Sequence, residues 1–432
     1  MPKLDASRGA HVHHRRIGPP SLPAFALLFG WGTGLAFVGP GCGQGAPIDA
    51  PGPGYSLDGA TVTPDQGSST EDVASVPDGS ADVNSSNDVV VPEDVVSRDI
   101  GTDAPAAFDR EAIKALMSKV ARYELSQLGT NPDNGWVNAA FYAGLMATFR
   151  TTGDAAFRSA AISWGQSRNW SLGPAKSGDT TWADNQCCTQ TYLELYLLDP
   201  VNTYITKTRS AFDAMMVNPD AGRAVWWWCD ALFMAPPALA RLGAATKNPA
   251  YFSFMNTMFW DAKAFLYSDA NNLFWRDAKY KSGNTFWSRG NGWVVAGIAR
   301  ILEYLPANDP KRAEYVSLLT TVLNAVARLQ GADGMWRSNL LNPAQFPNPE
   351  SSGTAFFTYA MAWGLEQQIL PSATFLPVVR KAWNGLVGAV NAEGRVGWCQ
   401  LVGEQPAAAT QDSTIPYCAG AFLLAGSELV KL

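Results

Sequence analysis

Histidine is almost absent from the chain. The 432 residues include three histidines, and all of them lie within the first 14 positions. The remaining sequence therefore has no histidine for a catalytic triad, a general base or a metal site. Cysteine is also scarce, and no pair has the CxxC spacing typical of zinc ligands. Acid–base chemistry is left to Asp, Glu, Tyr, Lys or Cys.

A basic stripe is also missing, which argues against nucleic acid as a partner. The chain carries 38 acidic and 32 basic residues. Twelve of the acidic residues lie in 43–105, and 106–432 carries 25 acidic and 27 basic residues. The segment 43–105 is rich in Pro, Gly, Ser, Asp and Val. We predict that it is a disordered linker, because it has too few large apolar residues to bury a core. A single folded domain is expected over 106–432.

The first 42 residues have the pattern of a secretory signal. A basic stretch at 13–16 precedes an apolar run around 25–29, and small residues then lead to Cys42. A cysteine at this place, followed by a tether, is similar to a bacterial lipoprotein processing site, although Gly39 stands where an aliphatic residue is usual. We expect export to the cell envelope or beyond, with Cys42 as a candidate lipid anchor. The alternative is a simple secretory signal cleaved nearby.

Five cysteines follow Cys42: Cys187, Cys188, Cys229, Cys399 and Cys418. In an exported chain Cys399 and Cys418 are close enough in sequence to predict a disulfide, and the odd number leaves at least one free thiol. The alternative is that most of them are small buried apolar residues.

From about residue 107 the apolar residues recur at helical spacing. Twelve helices are predicted, over 112–125, 137–149, 156–170, 190–198, 204–215, 232–244, 252–266, 292–305, 313–329, 355–370, 375–390 and 415–430. Turn and cap signals at Asp154, Asp199, Asn248, Asp309 and Pro371 recur every 45 to 62 residues. Six helix pairs of this kind favour an all-α, closed (α/α)6 barrel over an open solenoid.

The unusual polar and aromatic residues share one place in each repeat, just before the more apolar helix of the pair. They are Trp136, Trp182, Asp184, Asp230, Trp287, Arg289, Asn291, Trp293 and Glu350. In a barrel these helix starts share one mouth, where the positive ends of the helix dipoles suit an anionic ligand. The pattern predicts one enzyme or binding site.

Asp230 follows three tryptophans, and Asp184 follows Trp182. A carboxylate against apolar rings has its charged form disfavoured and can hold a proton at neutral pH. Paired carboxylates are the usual requirement for cleaving a glycosidic bond. The alternative reading of both residues is that they are helix N-caps.

Arg289 lies between Trp287 and Trp293 in a glycine-rich run, and it is a candidate for binding a carboxylate with its fork of donors. The alternative is that this run begins a helix and that Arg289 bonds to a neighbouring helix. Two further Trp-Arg pairs, at 275–276 and 336–337, lie in predicted short strands. These strands either line the cleft or cap the barrel.

These segments together resemble glycoside hydrolase family 105, the unsaturated rhamnogalacturonyl hydrolases, and more distantly the family 88 unsaturated glucuronyl hydrolases. The resemblance rests on five ordered motifs spread over about 107–432. They are Trp182-Ala183-Asp184-Asn185-Gln186 with the following 190–196, Trp228-Cys229-Asp230 through Pro237, Phe286-Trp287-Ser288-Arg289-Gly290-Asn291-Gly292-Trp293, Gly334-Met335-Trp336-Arg337, and Pro349-Glu350-Ser351-Ser352-Gly353 through Tyr359.

The resemblance implies an (α/α)6 barrel that removes a 4,5-unsaturated uronic acid from lyase-generated oligosaccharides such as rhamnogalacturonan fragments. Asp230 would be the general acid/base that leads to hydration of the double bond, and Asp184 the second essential Asp. No metal or organic cofactor is implied. The residues expected to contact the sugar are Trp136, Trp182, Trp228, Arg276, Trp287, Arg289, Asn291, Trp293, Trp336 and Arg337.

The chain departs from some relatives, which have a histidine in the cleft near the segment 274–277. Arg276 is expected to take over a substrate contact there. The alternatives are an inverting glycosidase that acts on saturated sugars with Asp184 and Asp230, or a non-catalytic glycan-binding lipoprotein. A monomer is expected, and the particular uronic acid and its linked sugar stay open.

Overall fold

The structure is a computed structural model that describes residues 108–174, 179–217, 219–283 and 285–432. The predicted signal segment, its candidate lipid anchor Cys42 and the predicted linker lie outside the described residues, and the predicted domain boundaries stay predictions. Among the described residues, no helix combines the length and apolarity needed to cross a membrane.

The described residues form fifteen α-helices and one two-stranded hairpin. The helices are α1 (Arg110–Gln127), α2 (Trp136–Thr152), α3 (Ala155–Ser167), α4 (Ala183–Gln186), α5 (Thr189–Leu198), α6 (Thr206–Val217), α7 (Gly222–Val225), α8 (Ala231–Met234), α9 (Pro236–Thr246), α10 (Pro249–Leu266), α11 (Ser288–Leu302), α12 (Arg312–Ala327), α13 (Ser351–Glu366), α14 (Ser372–Gly388) and α15 (Pro416–Leu429). The hairpin pairs β1 (Tyr267–Ser268) with β2 (Leu273–Phe274) in antiparallel register.

Six helices form a closed inner ring. Around it, α2 packs on α5, α5 on α9, α9 on α11, α11 on α13, α13 on α15, and α15 returns to α2. The last contact is very close, since a Cβ added to Gly144 would lie 2.4 Å from the carbonyl oxygen of Gly420. Glycine at both positions lets the two backbones meet. The closed (α/α)6 barrel is therefore confirmed, and the open solenoid is excluded.

The outer helices are amphipathic, and α3 and α10 start at predicted cap residues. In α1 the buried residues include Ile113, Met117 and Val120, which recur at helical spacing on one face. Asp154 caps α3 through the N–H of Ala156, and Asn248 caps α10 through that of Ala250, with Pro249 in the first turn. These caps fix where each outer helix starts after its inner partner ends.

Three predicted boundaries need correction. The predicted helix 232–244 is split into α8 and α9 at Pro236, which has no N–H to continue the hydrogen-bond ladder. The helices expected from 292 and 355 start four residues earlier, at Ser288 and Ser351, so the motif residues before them lie inside the first helical turn. Of the two predicted short strands, 273–277 is a strand only at 273–274, which is β2, so the pair at 275–276 follows the strand, and 334–337 is not a strand.

A buried ionic cluster lies inside the ring and ties four inner helices together, α2, α5, α9 and α11. Glu194 of α5 accepts hydrogen bonds from Arg241 Nε at 3.0 Å and Arg300 Nη2 at 2.8 Å through Oε1. Its Oε2 accepts from Arg150 Nη1 at 2.6 Å. Burial alone would raise the pKa of Glu194, but the three guanidinium groups lower it to about 2. Glu194 is therefore an anion in the core.

Candidate active site

Asp184 and Asp230 come together where α4 packs on α8, and both carboxylates are half-buried. Asp184 lies within the first turn of α4, and Asp230 directly precedes α8. The side chain of Asp230 makes no capping hydrogen bond to α8. Asp184 instead accepts a hydrogen bond from Trp182 Nε1 at 3.3 Å. The N-cap alternative therefore fails for both residues.

The two carboxyl groups hold protons more tightly than ordinary aspartates. Burial and the nearby charge of Asp230 raise the pKa of Asp184 to about 7. Burial also raises the pKa of Asp230, although Arg276 and Arg289 act in the opposite direction. Two carboxylates that share a desolvated site resist double ionisation, so the pair retains a proton near neutral pH.

Three tryptophans form one wall of the site. The ring of Trp182 stacks on Trp228, with centroids 4.5 Å apart, and Trp227 tilts against both. Trp228 is buried, whereas Trp182 and Trp227 are half-buried and offer their faces to the cleft. Trp227 was not among the predicted contacts. The repeated tryptophans were the only signal for it, and they do not reveal which ring faces outward.

A second aromatic group lies at the start of α2. Trp136 is half-buried and stacks on Tyr417 of α15, with centroids 5.4 Å apart and planes at 19°. Its edge meets Trp293, which is fully buried against Phe233. Trp136 can therefore meet a ligand, while Trp293 forms the layer beneath it. Tyr417 belongs to this group and was missed, because nothing in its local sequence marks it.

Arg276 lies on the segment after β2 and faces Asp230. Its guanidinium lies over the Trp227 ring, 5.3 Å from the centroid, and pairs with Asp277 at 2.5 Å. The charge of Asp230 raises the pKa of Arg276. Its Nε is buried without a partner among the described residues. The predicted place of Arg276 in the cleft agrees with this geometry.

Arg289, a predicted ligand for a carboxylate, is bonded to residues 400–401 and to Tyr417. Its side chain is 1 % exposed, and it donates to the carbonyl oxygens of Gln400 and Leu401 and to the hydroxyl of Tyr417. The guanidinium also lies over the Trp287 ring at 4.3 Å. These contacts support the alternative reading, in which Arg289 holds neighbouring elements, because its terminal donors are already engaged within the protein.

Four other predicted sugar contacts are also engaged in the scaffold. Trp287 donates to Gln400 Oε1 at 2.8 Å, and the amide of Asn291 bonds the backbone of Phe274 on β2. Trp336 is buried and donates to the carbonyl oxygen of Val326 at the end of α12. Arg337 pairs with Asp333 in its own turn. All four side chains therefore have polar partners within the protein, and their place as sugar contacts stays a prediction.

The segment 398–413 forms a further wall that sequence reasoning missed. A disulfide between Cys399 and Cys418 joins it to α15, which confirms the predicted pairing. Cys187, Cys188 and Cys229 are free and buried. A cavity of about 470 Å³ lies between this segment and Lys279-Tyr280. Each side of this cavity is connected to an arginine that lowers the pKa of Asp230. Lys279 is three residues from Arg276, and the carbonyl oxygen of Gln400 accepts a hydrogen bond from Arg289.

One group of three metal-ligand types lies close together in the described part of the chain: Glu350, Cys399 and Cys418. The two sulfur atoms are joined to each other. Glu350 caps α13 by accepting from the N–H groups of Ser352 and Gly353. Since all three side chains already have structural partners, this group does not fit a metal ion.

Comparison with known proteins places this geometry in a family. The family model described as Glycosyl Hydrolase Family 88 matches residues 110–432. The chain belongs to this family. It is therefore a glycoside hydrolase, of the group that the sequence motifs indicated. The matching model belongs to family 88, which was expected to be the more distant of the two related families.

One curated relative and two solved structures are similar to this chain over most of its length. An unsaturated 3S-rhamnoglycuronyl hydrolase from Formosa agariphila is 32% identical over 76% of this chain and 93% of its own. A solved family 88 structure from Bacteroides vulgatus is 32% identical, with TM-score 0.71 over 74% of this chain and 99% of that one. A Salmonella enterica structure described as a possible member of GH105 is 20% identical, with TM-score 0.65 over 79% of this chain and 99% of that one. It shares the fold.

Proposed function

We propose that the protein removes a terminal 4,5-unsaturated uronic acid from lyase-generated oligosaccharides. The single observation that carries the proposal is the carboxyl pair Asp184 and Asp230, both with raised pKa values, beside the guanidinium of Arg276. A vinyl ether needs a proton donor, and the conjugated carboxylate of an unsaturated uronic acid needs a cation. The half-buried rings of Trp182 and Trp227 supply apolar faces for the sugar.

In the proposed reaction Asp230 is the general acid and then the general base. It gives its proton to C4 of the vinyl ether, and the resulting carboxylate takes a proton from a water molecule whose oxygen bonds to C5. The hemiketal formed at C5 collapses, the ring opens, and the glycosidic bond breaks with release of the next sugar. The proton balance returns Asp230 to its acid form.

Substrate binding is expected to prepare Asp230 for this step. In the free protein Arg276 lowers the pKa of Asp230. A uronate carboxylate bound to Arg276 would offset that cation, so the pKa of Asp230 would rise and the acid form would be favoured. Asp184, with its pKa raised to about 7, is partly protonated near neutral pH and adds less repulsion to the incoming anion than a fully ionised carboxylate would.

For the linked sugar we favour rhamnose. The support is the Formosa agariphila relative, which is named for rhamnoglycuronyl substrates and matches most of both chains. Glucuronyl and galacturonyl groups differ only at C4, which is planar in the unsaturated group, so the choice to be tested lies in the sugar that follows it. A panel of unsaturated uronyl disaccharides on rhamnose, with and without sulfate on the rhamnose, and on sugars other than rhamnose tests this choice. The expected result is a higher kcat/KM on the rhamnose members.

The test of the activity is loss of the ultraviolet absorbance of the conjugated C4=C5 acid. Wild-type protein should bleach at least one unsaturated disaccharide, and Asp230→Asn should lose at least about 10²-fold in kcat, the usual contribution of a general acid. Turnover of saturated glycosides alone would favour the inverting glycosidase. Tight binding without any turnover would favour a glycan-binding lipoprotein. Either result overturns the proposal.

We also propose that the protein is exported, with Cys42 as the lipid attachment site and the oligosaccharide as its partner. The signal-like pattern of 1–42 supports this, as does the Cys399–Cys418 disulfide, since such bonds persist in oxidising compartments. Cell fractionation with radiolabelled palmitate tests it. Label on the wild-type chain that is absent from Cys42→Ala is expected, and unlabelled cytosolic protein would contradict both points.

A further inference from the structure

Cys229 contacts Asp230, the proposed general acid, and the sequence motifs assign no role to this cysteine. Its side chain is fully buried, and its thiol donates a hydrogen bond to Asp230 Oδ2 at 3.4 Å. Among the described residues, this is the one side-chain hydrogen bond that the carboxyl group of Asp230 receives. A small residue that merely filled space would not direct a donor at a catalytic oxygen.

The position of the Cys229 sulfur is fixed from two sides. The backbone N–H of Cys229 donates to the carbonyl oxygen of Arg276 at 2.8 Å. A Cβ added to Gly290 of α11 would lie 3.0 Å from the sulfur, which is closer than ordinary packing allows. Cys229 therefore lies between the Arg276 segment and the first turn of α11, where the absence of a side chain at Gly290 makes room for the sulfur.

The thiol is a donor and not a thiolate. Burial, and then the neighbouring charge of Asp230, raise the pKa of Cys229 well above its usual range. A neutral S–H next to a carboxylate places its hydrogen on the nearer oxygen. The transferable proton of Asp230 is then left to the other oxygen, Oδ1.

We propose that Cys229 is a positioning residue that occupies Asp230 Oδ2 and so leaves Oδ1 to carry the proton given to substrate. The inference rests on the proposed role of Asp230 and adds the arrangement of its two oxygens. The other charged or titratable groups that act electrostatically on Asp230, or on which it acts, are Arg276 after β2, Arg289 on α11, Asp184 on α4 and Tyr417 on α15. Each of them stays in place when the thiol is replaced.

The first test compares Cys229→Ala with Cys229→Ser by the pH dependence of kcat on an unsaturated disaccharide. A general acid must be protonated, so kcat falls on the alkaline side as pH passes its pKa in the complex. Loss of the donor in Cys229→Ala should raise that pKa by about half a unit, the worth of one weak hydrogen bond. The maximal kcat should also fall, by about tenfold, because Oδ1 is no longer oriented.

Cys229→Ser keeps a donor of similar size and should restore the wild-type alkaline limb and much of the lost kcat. The matched control is Cys188→Ala, which removes a buried thiol that donates to the carbonyl oxygen of Asn185 at 3.5 Å. It should leave the alkaline limb in place. A Cys229→Ala enzyme with wild-type kcat and pH profile would overturn the proposal, as would equal defects in the Ser and Ala variants.

A second measurement needs no change at Cys229, and it remains available if those variants fold poorly. The infrared S–H stretch of wild-type protein should contain one band that shifts as Asp230 titrates, and Asp230→Asn should remove that shift. A stretch that is independent of pH would contradict the contact itself. Since this readout does not depend on turnover, it separates failure of the Cys229 inference from failure of the proposed activity.

Discussion

The indole N–H of Trp182 donates to Asp184 Oδ2 at 3.3 Å, while the same ring stacks on Trp228. This hydrogen bond favours the charged form of Asp184 and so lowers its pKa. Burial and the charge of Asp230 outweigh it, and the net pKa is about 7. A single tryptophan therefore both orients the second aspartate and lines the wall on which a sugar would stack.

The raised pKa of Asp184 predicts a pH dependence of stability. The ordinary value is 3.8 and the folded value about 7, so between them the folded state holds a proton that the unfolded state has lost. The free energy of unfolding should then fall as pH rises through this window. Asp184→Asn cannot ionise and should gain in Tm relative to wild type between about pH 4 and about pH 8. Scanning calorimetry across this range is the measurement.

The matched control for Asp184 is Asp269→Asn, which changes a carboxyl group whose side chain is 92% exposed. Its Tm should follow the wild-type curve at every pH. Parallel curves for wild type and Asp184→Asn would show that the carboxyl group of Asp184 titrates normally.

Arg276 should govern both affinity and pH profile. Arg276→Met removes the cation proposed to bind the uronate carboxylate, and we expect KM to rise by about 10²-fold, in the range of a lost charge-assisted pair. The variant also removes a cation that lowers the pKa of Asp230, so the alkaline limb of kcat should move to higher pH. Arg276→Lys should recover part of the affinity, since it keeps the charge but loses the fork. Steady-state kinetics over a pH series measure both effects.

The control for Arg276 is Lys279→Met, which removes an exposed cation three residues along the same segment. It should leave KM on an unsulfated disaccharide unchanged. If Arg276→Met raised KM no more than Lys279→Met does, Arg276 would act only through general attraction of the anionic substrate and not through a specific contact.

Arg289 should behave as a structural residue. It bonds the carbonyl oxygens of Gln400 and Leu401 and the hydroxyl of Tyr417. Arg289→Met removes the Arg289 donor from the Leu401 carbonyl oxygen and the Tyr417 hydroxyl, while the Gln400 carbonyl oxygen keeps its hydrogen bond from Tyr417. We expect a loss of about 3 kcal/mol in the free energy of unfolding. Limited proteolysis should then cleave within 400–408. A rise in KM with unchanged urea unfolding would instead restore Arg289 as a direct substrate contact.

The contrast between Arg276 and Arg289 shows where sequence reasoning stops. The repeat pattern indicates that Arg289 lies at the mouth of the barrel, whereas for Arg276 the sequence leaves the cleft and a barrel cap open. In the structure both arginines lower the pKa of Asp230. The engagement of Arg289 depends on Gln400, 111 positions further along the chain, in an irregular segment with no periodicity to read. Helix periodicity predicts which helices pack together. It does not predict which distant loop accepts the hydrogen bonds of a given side chain.

The tryptophan run at 226–228 gives a second example. Repeat spacing predicted correctly that these rings precede an inner helix. They lie between α7 and α8, where the chain is not helical, so neither a period of 3.6 nor a period of two assigns their faces. Trp226 is consequently core, Trp228 supports Trp182, and Trp227 faces the cleft. Only the three-dimensional packing separates the three roles.

The barrel interior makes an independent prediction about stability through Glu194. Its carboxylate is the buried anion that meets Arg241 and Arg300, both of which are fully buried, and it also meets Arg150. Glu194→Gln keeps the shape but leaves Arg300 with no ion-pair partner among the described residues, while Arg241 and Arg150 keep Glu303. Breaking such a pair from one side costs about 3–5 kcal/mol, which urea unfolding at neutral pH would measure.

The same substitution should change the acid side of the stability curve. Because the folded pKa of Glu194 is about 2 and the ordinary value is 4.5, its contribution is present above about pH 4.5 and is lost as pH falls towards 2. Wild type should therefore lose stability steeply over that window, and Glu194→Gln much less. The control is Glu314→Gln, whose carboxylate pairs with Lys311 at the surface and should change stability by less than about 1 kcal/mol. Equal losses in the two variants would mean that the cluster does not hold α2, α5, α9 and α11 together, and that ring closure rests on the apolar contacts alone.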